Sequence, residues 1–122
     1  PRQNLGTIFL THLDQTLLVK YTNHMNYELV STPVFDKWLI KLKDRTTKNK
    51  VLFRLDRIQN GNFGDYKSLG GDLFELRFFF GGGLRIYYTI RNNQILLLLN
   101  GGDKSSQGRD VDRARQIMEE LG

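Results

Sequence analysis

Two arginines, Arg77 and Arg85, stand on either side of FFF and GGG runs in ELRFFFGGGLRIYY, residues 75–88. A planar guanidinium grips a phosphate through two parallel hydrogen bonds. Aromatic rings can stack an unpaired base. Arginines spaced to share one face of a hairpin therefore suggest a site for an RNA phosphate. The test is whether the elements around them converge on one place.

The glycines suggest a hairpin turn. If Gly81–Gly83 form a three-residue loop, Phe80 faces Leu84, Phe79 faces Arg85 and Arg77 faces Tyr87. Directly opposed residues share a face of the sheet. One face then carries Leu76, Phe78, Phe80, Leu84, Ile86, Tyr88 and Ile90. The other carries Glu75, Arg77, Phe79, Arg85, Tyr87 and Thr89. A loop one residue longer or shorter would mix arginine into the apolar set, so the pattern selects the register.

Asn92-Asn93 is the next expected turn. It sets Ile90 opposite Ile95, Tyr88 opposite Leu97, Ile86 opposite Leu99 and Arg85 opposite Asn100, leaving Leu96 and Leu98 on the arginine face. The chain then exits through Gly101-Gly102-Asp103-Lys104, which brings Lys104 towards Arg85. The expected concavity holds Arg77, Arg85, Tyr87 and Lys104, with Lys67 reaching in from a loop. Taken singly, each residue has a plainer reading: Arg77 paired with Glu75 or another carboxylate, and Tyr87 a half-buried packing residue. Taken together, several cations on one patch repel unless an anion belongs there.

The rest of the chain supplies the scaffold. YELVS (27–31) alternates as a strand does. Thr32-Pro33 starts a helix, with Thr as N-cap and Pro in the first turn. Phe35, Trp38, Leu39 and Leu42 form its inward face. A second helix is expected from Thr46 to Gln59, with Val51, Leu52, Leu55 and Ile58 inward and Asn60-Gly61 as its stop. Lys37, Lys41, Lys43, Arg45, Lys48, Lys50, Arg54 and Arg57 on these helices read as a solvated face. Residues 60–72 read as a glycine-rich loop. Strands follow at 73–80, 84–91 and 94–100, then a helix at 107–121 with Val111, Ala114, Ile117, Met118 and Leu121 inward. This order gives an α+β fold.

Composition narrows the function. The chain has 122 residues, enough for one domain. Eighteen Lys and Arg against thirteen Asp and Glu give a net charge of +5, which favours an anionic partner. There is no cysteine, so neither a disulfide framework nor a thiolate zinc site is available. No apolar run is long enough to span a membrane. Residues 1–24 scatter their hydrophobic residues among polar ones and read as a partly helical appendage, a poor signal peptide, ahead of a domain at 25–122. The glycines of GNFGDYKSLGG do not match P-loop spacing. No carboxylate cluster suggests a metal, and no cofactor is expected.

Cleavage of RNA by its own 2′-hydroxyl needs a base for that hydroxyl, cations for the phosphorane and an acid for the leaving 5′-oxygen. The two histidines, His12 and His24, lie in the appendage, so a histidine pair is not expected. A lysine among arginines is an available base.

FDKWLIKLKD (35–44), RLDRIQNGNFGDYKSLGG (54–71), ELRFFFGGGLRIYY (75–88) and LLLLNGGDKSSQGRDVDRARQI (96–117) resemble the phage-related addiction-module killer proteins of the RelE/HigB toxin group. The resemblance covers nearly all of residues 26–120. It implies a RelE-like fold: N-terminal strand, two helices, three-stranded antiparallel meander, C-terminal helix. It also implies a cytoplasmic type II toxin that cuts mRNA on the ribosome without metal. Its implied partners are a protein antitoxin, the ribosome and mRNA, with operator DNA reached only through the antitoxin complex. By motif position, Arg77, Arg85 and Lys104 match the RNA-contacting basic residues of that group, and Lys67 its loop lysine. The tyrosine role falls near Tyr87 and Tyr88, and the register favours Tyr87. Phe79 is expected against RNA beside the arginines. Such proteins often have an aromatic residue before the second arginine; here it is Leu84, which the register turns to the core. ParE-like relatives share the fold class and act on DNA gyrase without cutting RNA. This is the alternative reading, and a gyrase binder has no need of the basic set.

Overall fold

The computed structural model describes residues 26–122. The expected appendage at 1–24 lies outside them. Five strands and three helices follow in the order β1 (Glu28–Ser31), α1 (Pro33–Lys41), α2 (Arg45–Gln59), β2 (Tyr66–Gly70), β3 (Leu73–Arg77), β4 (Arg85–Arg91), β5 (Ile95–Gly102) and α3 (Gln107–Leu121). The sheet order is β1-β5-β4-β3-β2. β1 runs parallel to β5, and every other neighbouring pair is antiparallel. The fold class is α+β, as the order of elements implied.

The helix signals act as their chemistry dictates. Thr32 Oγ1 accepts the Phe35 N–H at 3.1 Å and donates to the Leu99 carbonyl at 2.6 Å. One hydroxyl thus caps α1 and pins it to β5. Asp44 caps α2 through Thr46, and Gly61 ends it at φ +86°, with its N–H on the Ile58 carbonyl.

The sheet separates two cores. Phe35, Val51, Leu55 and Ile58 from α1 and α2 pack on Leu76, Phe78, Leu84, Ile86 and Tyr88. Ala114 and Ile117 of α3 pack on Leu73, Tyr87 and Leu99. The predicted two-face division of ELRFFFGGGLRIYY holds, but its register does not. Arg77 faces Arg85, and Glu75 faces Tyr87. The loop is longer than three residues because Gly81, Gly82 and Gly83 all adopt left-handed backbone, at φ +61°, +72° and +78°. They wind a turn closed by the Leu84 N–H on the Phe80 carbonyl at 3.1 Å. Three successive left-handed residues are tolerable only without a Cβ. The shift is by two residues, so each side chain keeps its face.

Four further expectations are corrected. Leu96 and Leu98 belong to the α1–α2 core, and Leu97 and Leu99 to the α3 side. Gln94 stands outside the ladder, so Arg91 pairs with Ile95 and Tyr88 with Leu98. A register shift between Tyr87 and Tyr88 then sets Tyr87 opposite Asn100 and Arg85 opposite Gly102. Second, residues 66–70 form edge strand β2 instead of loop. Third, Leu121 is exposed. Fourth, Arg54 is not part of a solvated face. Its Nη2 donates to the carbonyls of Phe63 at 3.0 Å and Asp65 at 2.7 Å, and its Nη1 to that of Arg77. The guanidinium lies 4.6 Å from the centre of the Phe78 ring.

Candidate anion site at the end of the sheet

Two cross-strand rows define the site on the α3 side. One runs Lys67, Glu75, Tyr87, Asn100 and the next runs Arg77, Arg85, Gly102. α3 covers the sheet over Leu73, Tyr87 and Leu99, and Asp110 in its first turn lies against Gly102 at the end of the second row. Like charges directly opposed across a sheet are destabilising, so the Arg77–Arg85 pair needs local compensation.

The compensation comes from two carboxylates. Arg77 Nη2 lies 3.3 Å from Asp65 Oδ1, with about a third of each side chain exposed. Arg85 Nε lies 3.4 Å from Glu75 Oε2. Glu75 is wholly buried. Its Oε2 also accepts from the Tyr87 hydroxyl at 3.1 Å and from Gln107 Nε2 at 2.8 Å. The Arg85 Nη1 donates to the Gly83 carbonyl at 3.0 Å.

Gly83 joins the second strand pair to the chain after β5. A Cβ built on it would lie 3.3 Å from Arg85 Nη1 and 3.3 Å from Lys104 Cβ. The Lys104 N–H bonds the Gly82 carbonyl at 3.2 Å, which fixes the segment. Asp103 nearby commits its Oδ1 to the Ser105 backbone and hydroxyl. Those hydrogen bonds hold its pKa below the ordinary 3.8.

The predicted residues therefore separate. Arg77, Arg85 and Lys104 gather at one end of the sheet. Lys67 is exposed on edge strand β2, opposite Glu75. Phe79 projects from the glycine turn, 92% exposed. Tyr87, expected to line the concavity, is fully buried beneath it. Burial first, then the Glu75 carboxylate, raises its pKa far above 10, so the phenol is a fixed hydrogen-bond donor. Its neighbour Tyr88 is buried on the opposite face, within the α1–α2 core. For Arg77 and Tyr87 taken singly, the plainer readings come close: one has a carboxylate partner, and the other packs even more deeply than half-buried. Glu75, Asp65, Gln107 and Arg54 were not singled out as site residues. The one available signal was Glu75 itself, a carboxylate spaced to share the inward face with Tyr87.

Among the described residues, no group of three or more His, Cys, Asp or Glu side chains could hold a metal ion. No helix among them is long and apolar enough to cross a membrane.

Fold and site together define a class: a small basic α+β protein whose mostly antiparallel sheet ends in a cluster of cations. A family model for phage-derived Gp49-like proteins matches residues 37–119. An uncharacterized protein of Haemophilus influenzae is 44% identical over 98 residues, covering 80% of this chain and 99% of its own. The chain belongs to the Gp49-like family, which is associated with toxin–antitoxin addiction modules. That association implies an antitoxin partner.

Proposed function

We propose that this protein is the toxin of a type II module and cuts mRNA on the ribosome, using the RNA 2′-hydroxyl as nucleophile. The observation that carries this reading is the direct opposition of Arg77 and Arg85, with Lys104 against the same glycine as Arg85. Asp65 and Glu75 face the arginines, while the nearby carboxylates of Asp103 and Asp110 are bonded to Ser105 and Ser106. A phosphate diester would bring negative charge to the opposed arginines themselves.

In the reaction the 2′-oxygen bonds to phosphorus as the P–O5′ bond breaks, and negative charge gathers on the phosphorane oxygens. Arg77 and Arg85 hold those oxygens, and Lys104 adds charge from the opposite side of Gly83. Lys67, on the row behind, receives the 2′-hydroxyl proton in its neutral form, and water protonates the leaving 5′-oxygen. Phe79 is exposed enough to stack a splayed base. Tyr87 acts from beneath, through Glu75, without touching RNA. Such a mechanism rests on positioning and electrostatics.

Mapping RNA ends after a short induction tests the proposal. Wild-type protein is expected to leave new ends in translated mRNA. Arg85→Ala should lower cleavage about 100-fold or more and relieve growth arrest while the protein remains folded. Normal cuts by Arg85→Ala would refute the site. Absent cuts together with inhibited gyrase supercoiling would favour the ParE-like alternative.

A further inference from the structure

We infer that Glu75 is a positioning residue that sets the orientation of Arg85 towards its anion and ties the Lys104 segment to it. The inference rests on the proposed phosphate role of Arg85. Nothing in the sequence motif or the family assignment gives Glu75 a role.

A wholly buried carboxylate in the middle of a strand is an unfavourable choice for packing alone. An apolar side chain of similar size would fill the space without desolvating a charge. Here one of its oxygens, Oε1, has no hydrogen-bond donor at all. The other, Oε2, is approached by three groups from two elements: Tyr87 and Arg85 of β4, and Gln107 at the start of α3. The Arg85 side chain is itself only 14% exposed. The buried charge therefore has a buried counter-charge.

The geometry divides the guanidinium. Its Nε edge faces Glu75, and one Nη1 hydrogen is spent on the Gly83 carbonyl. A guanidinium has five N–H donors. One Nη2 hydrogen lies on the Nε edge, towards Glu75, which leaves the outer Nη2 hydrogen and the second Nη1 hydrogen for a ligand. That is the edge a phosphate takes bidentately. Gln107 lies three residues after Lys104, with one short helical turn between them. Its bond to the same carboxylate oxygen fixes that turn relative to Arg85. Glu75 is thus the common anchor for both cations. Arg77 is held separately, by Asp65.

Glu75→Gln preserves shape and removes the charge. In cleavage of mRNA on programmed ribosomes it should lower kcat about 100-fold, the scale of a misplaced catalytic group, with KM for the ribosome complex unchanged. In an Arg85→Lys background, which lacks the fork, the same change should add little. A general packing role predicts losses that multiply. A second readout does not depend on cleavage. The wild-type protein should show an ordered Arg85 Nε–Hε signal by NMR, and Glu75→Gln should lose it while the remaining spectrum stays dispersed. An unchanged Arg85 signal overturns the inference, and so, where Arg85→Ala abolishes cleavage, does wild-type kcat in Glu75→Gln or losses that multiply. If the Arg85 signal depends on Glu75 but Arg85→Lys and Arg85→Ala both cleave normally, positioning stands and mRNA cleavage at this site falls.

Discussion

Gly83 and Gly70 offer a controlled perturbation of the site. Both have left-handed backbone, at φ +78° and +91°. Alanine at either position meets a backbone penalty of about 1–2 kcal/mol, offset by about 0.4–1 kcal/mol from the lower entropy of the unfolded chain. A net loss of about 1 kcal/mol would lower Tm by roughly 4–8 °C in a domain of this size. The two positions differ in what the new methyl group meets. At Gly70 nothing lies within 4 Å. At Gly83 the Cβ comes within 3.3 Å of both Arg85 Nη1 and Lys104 Cβ. Lys104 cannot easily withdraw, because its N–H is bonded to Gly82. The methyl group must push the two cations apart by a few tenths of an ångström. Crowding of this kind adds about 1 kcal/mol or somewhat more. Displacing a group that binds the transition state lowers turnover about 10- to 100-fold. Thermal melts and ribosome-programmed cleavage on both variants give the comparison. Gly70→Ala should lose stability and keep activity, and Gly83→Ala should lose both. Equal activity in the two would refute the placement of the reacting phosphate between Arg85 and Lys104.

Two other predictions concern the support around the site. Arg54→Ala leaves the carbonyls of Phe63, Asp65 and Arg77 without their shared donor. It should destabilise the protein by about 3 kcal/mol in urea denaturation; a loss under about 1 kcal/mol would mean that solvent replaces the guanidinium. Tyr87 and Tyr88 are both held above the ordinary phenol pKa of 10.0, first by burial. The native state therefore keeps protons that the unfolded chain releases near pH 10, so stability is complete below pH 10 and falls as pH rises beyond it. Absorbance at 295 nm should show these two phenols ionising only as the protein unfolds, and Tyr87→Phe should remove one of them. Their ionisation near pH 10 with the fold intact would contradict the burial argument.

The helices were legible because their ends carry local chemistry. Thr32-Pro33 and Asn60-Gly61 act within a turn of themselves, and both do so in the structure. The two faces of β3 and β4 were legible because Leu76, Arg77 and Phe78 alternate, and so do Leu84, Arg85 and Ile86. Absolute register was not, since a slip of two residues leaves that alternation intact. The slip came from the loop, where three glycines wind a left-handed turn instead of spanning the gap. Leu96–Leu99 failed for a different reason. Four consecutive leucines have no polar phase, so either pairing with β4 buries an apolar side chain. The structure uses both phases, switching where the ladder shifts between Tyr87 and Tyr88. β2 was missed because YKSLG is mostly exposed at a sheet edge and carries no hydrophobic alternation.

That slip of two residues changes the chemistry more than the fold. With Arg77 opposite Tyr87, each arginine could have been an independent surface charge. With Arg77 opposite Arg85, their repulsion is built into the sheet, and the surrounding groups make sense as its containment. Arg85 is held from two sides, by Glu75 and the Gly83 carbonyl. Arg77 has one carboxylate, Asp65, about a third exposed, whose own carbonyl is fixed by Arg54. Lys104 and Lys67 are exposed. Constraint thus declines outward from Arg85. A fixed guanidinium defines where an anion sits and how it is turned, and exposed lysines can follow charge as it develops. An ion-pair network made only for stability would have little reason to keep two arginines face to face, since exchanging Arg85 for a neutral residue would remove both the repulsion and the need for a buried carboxylate. The arrangement is economical only if a further negative charge arrives from outside.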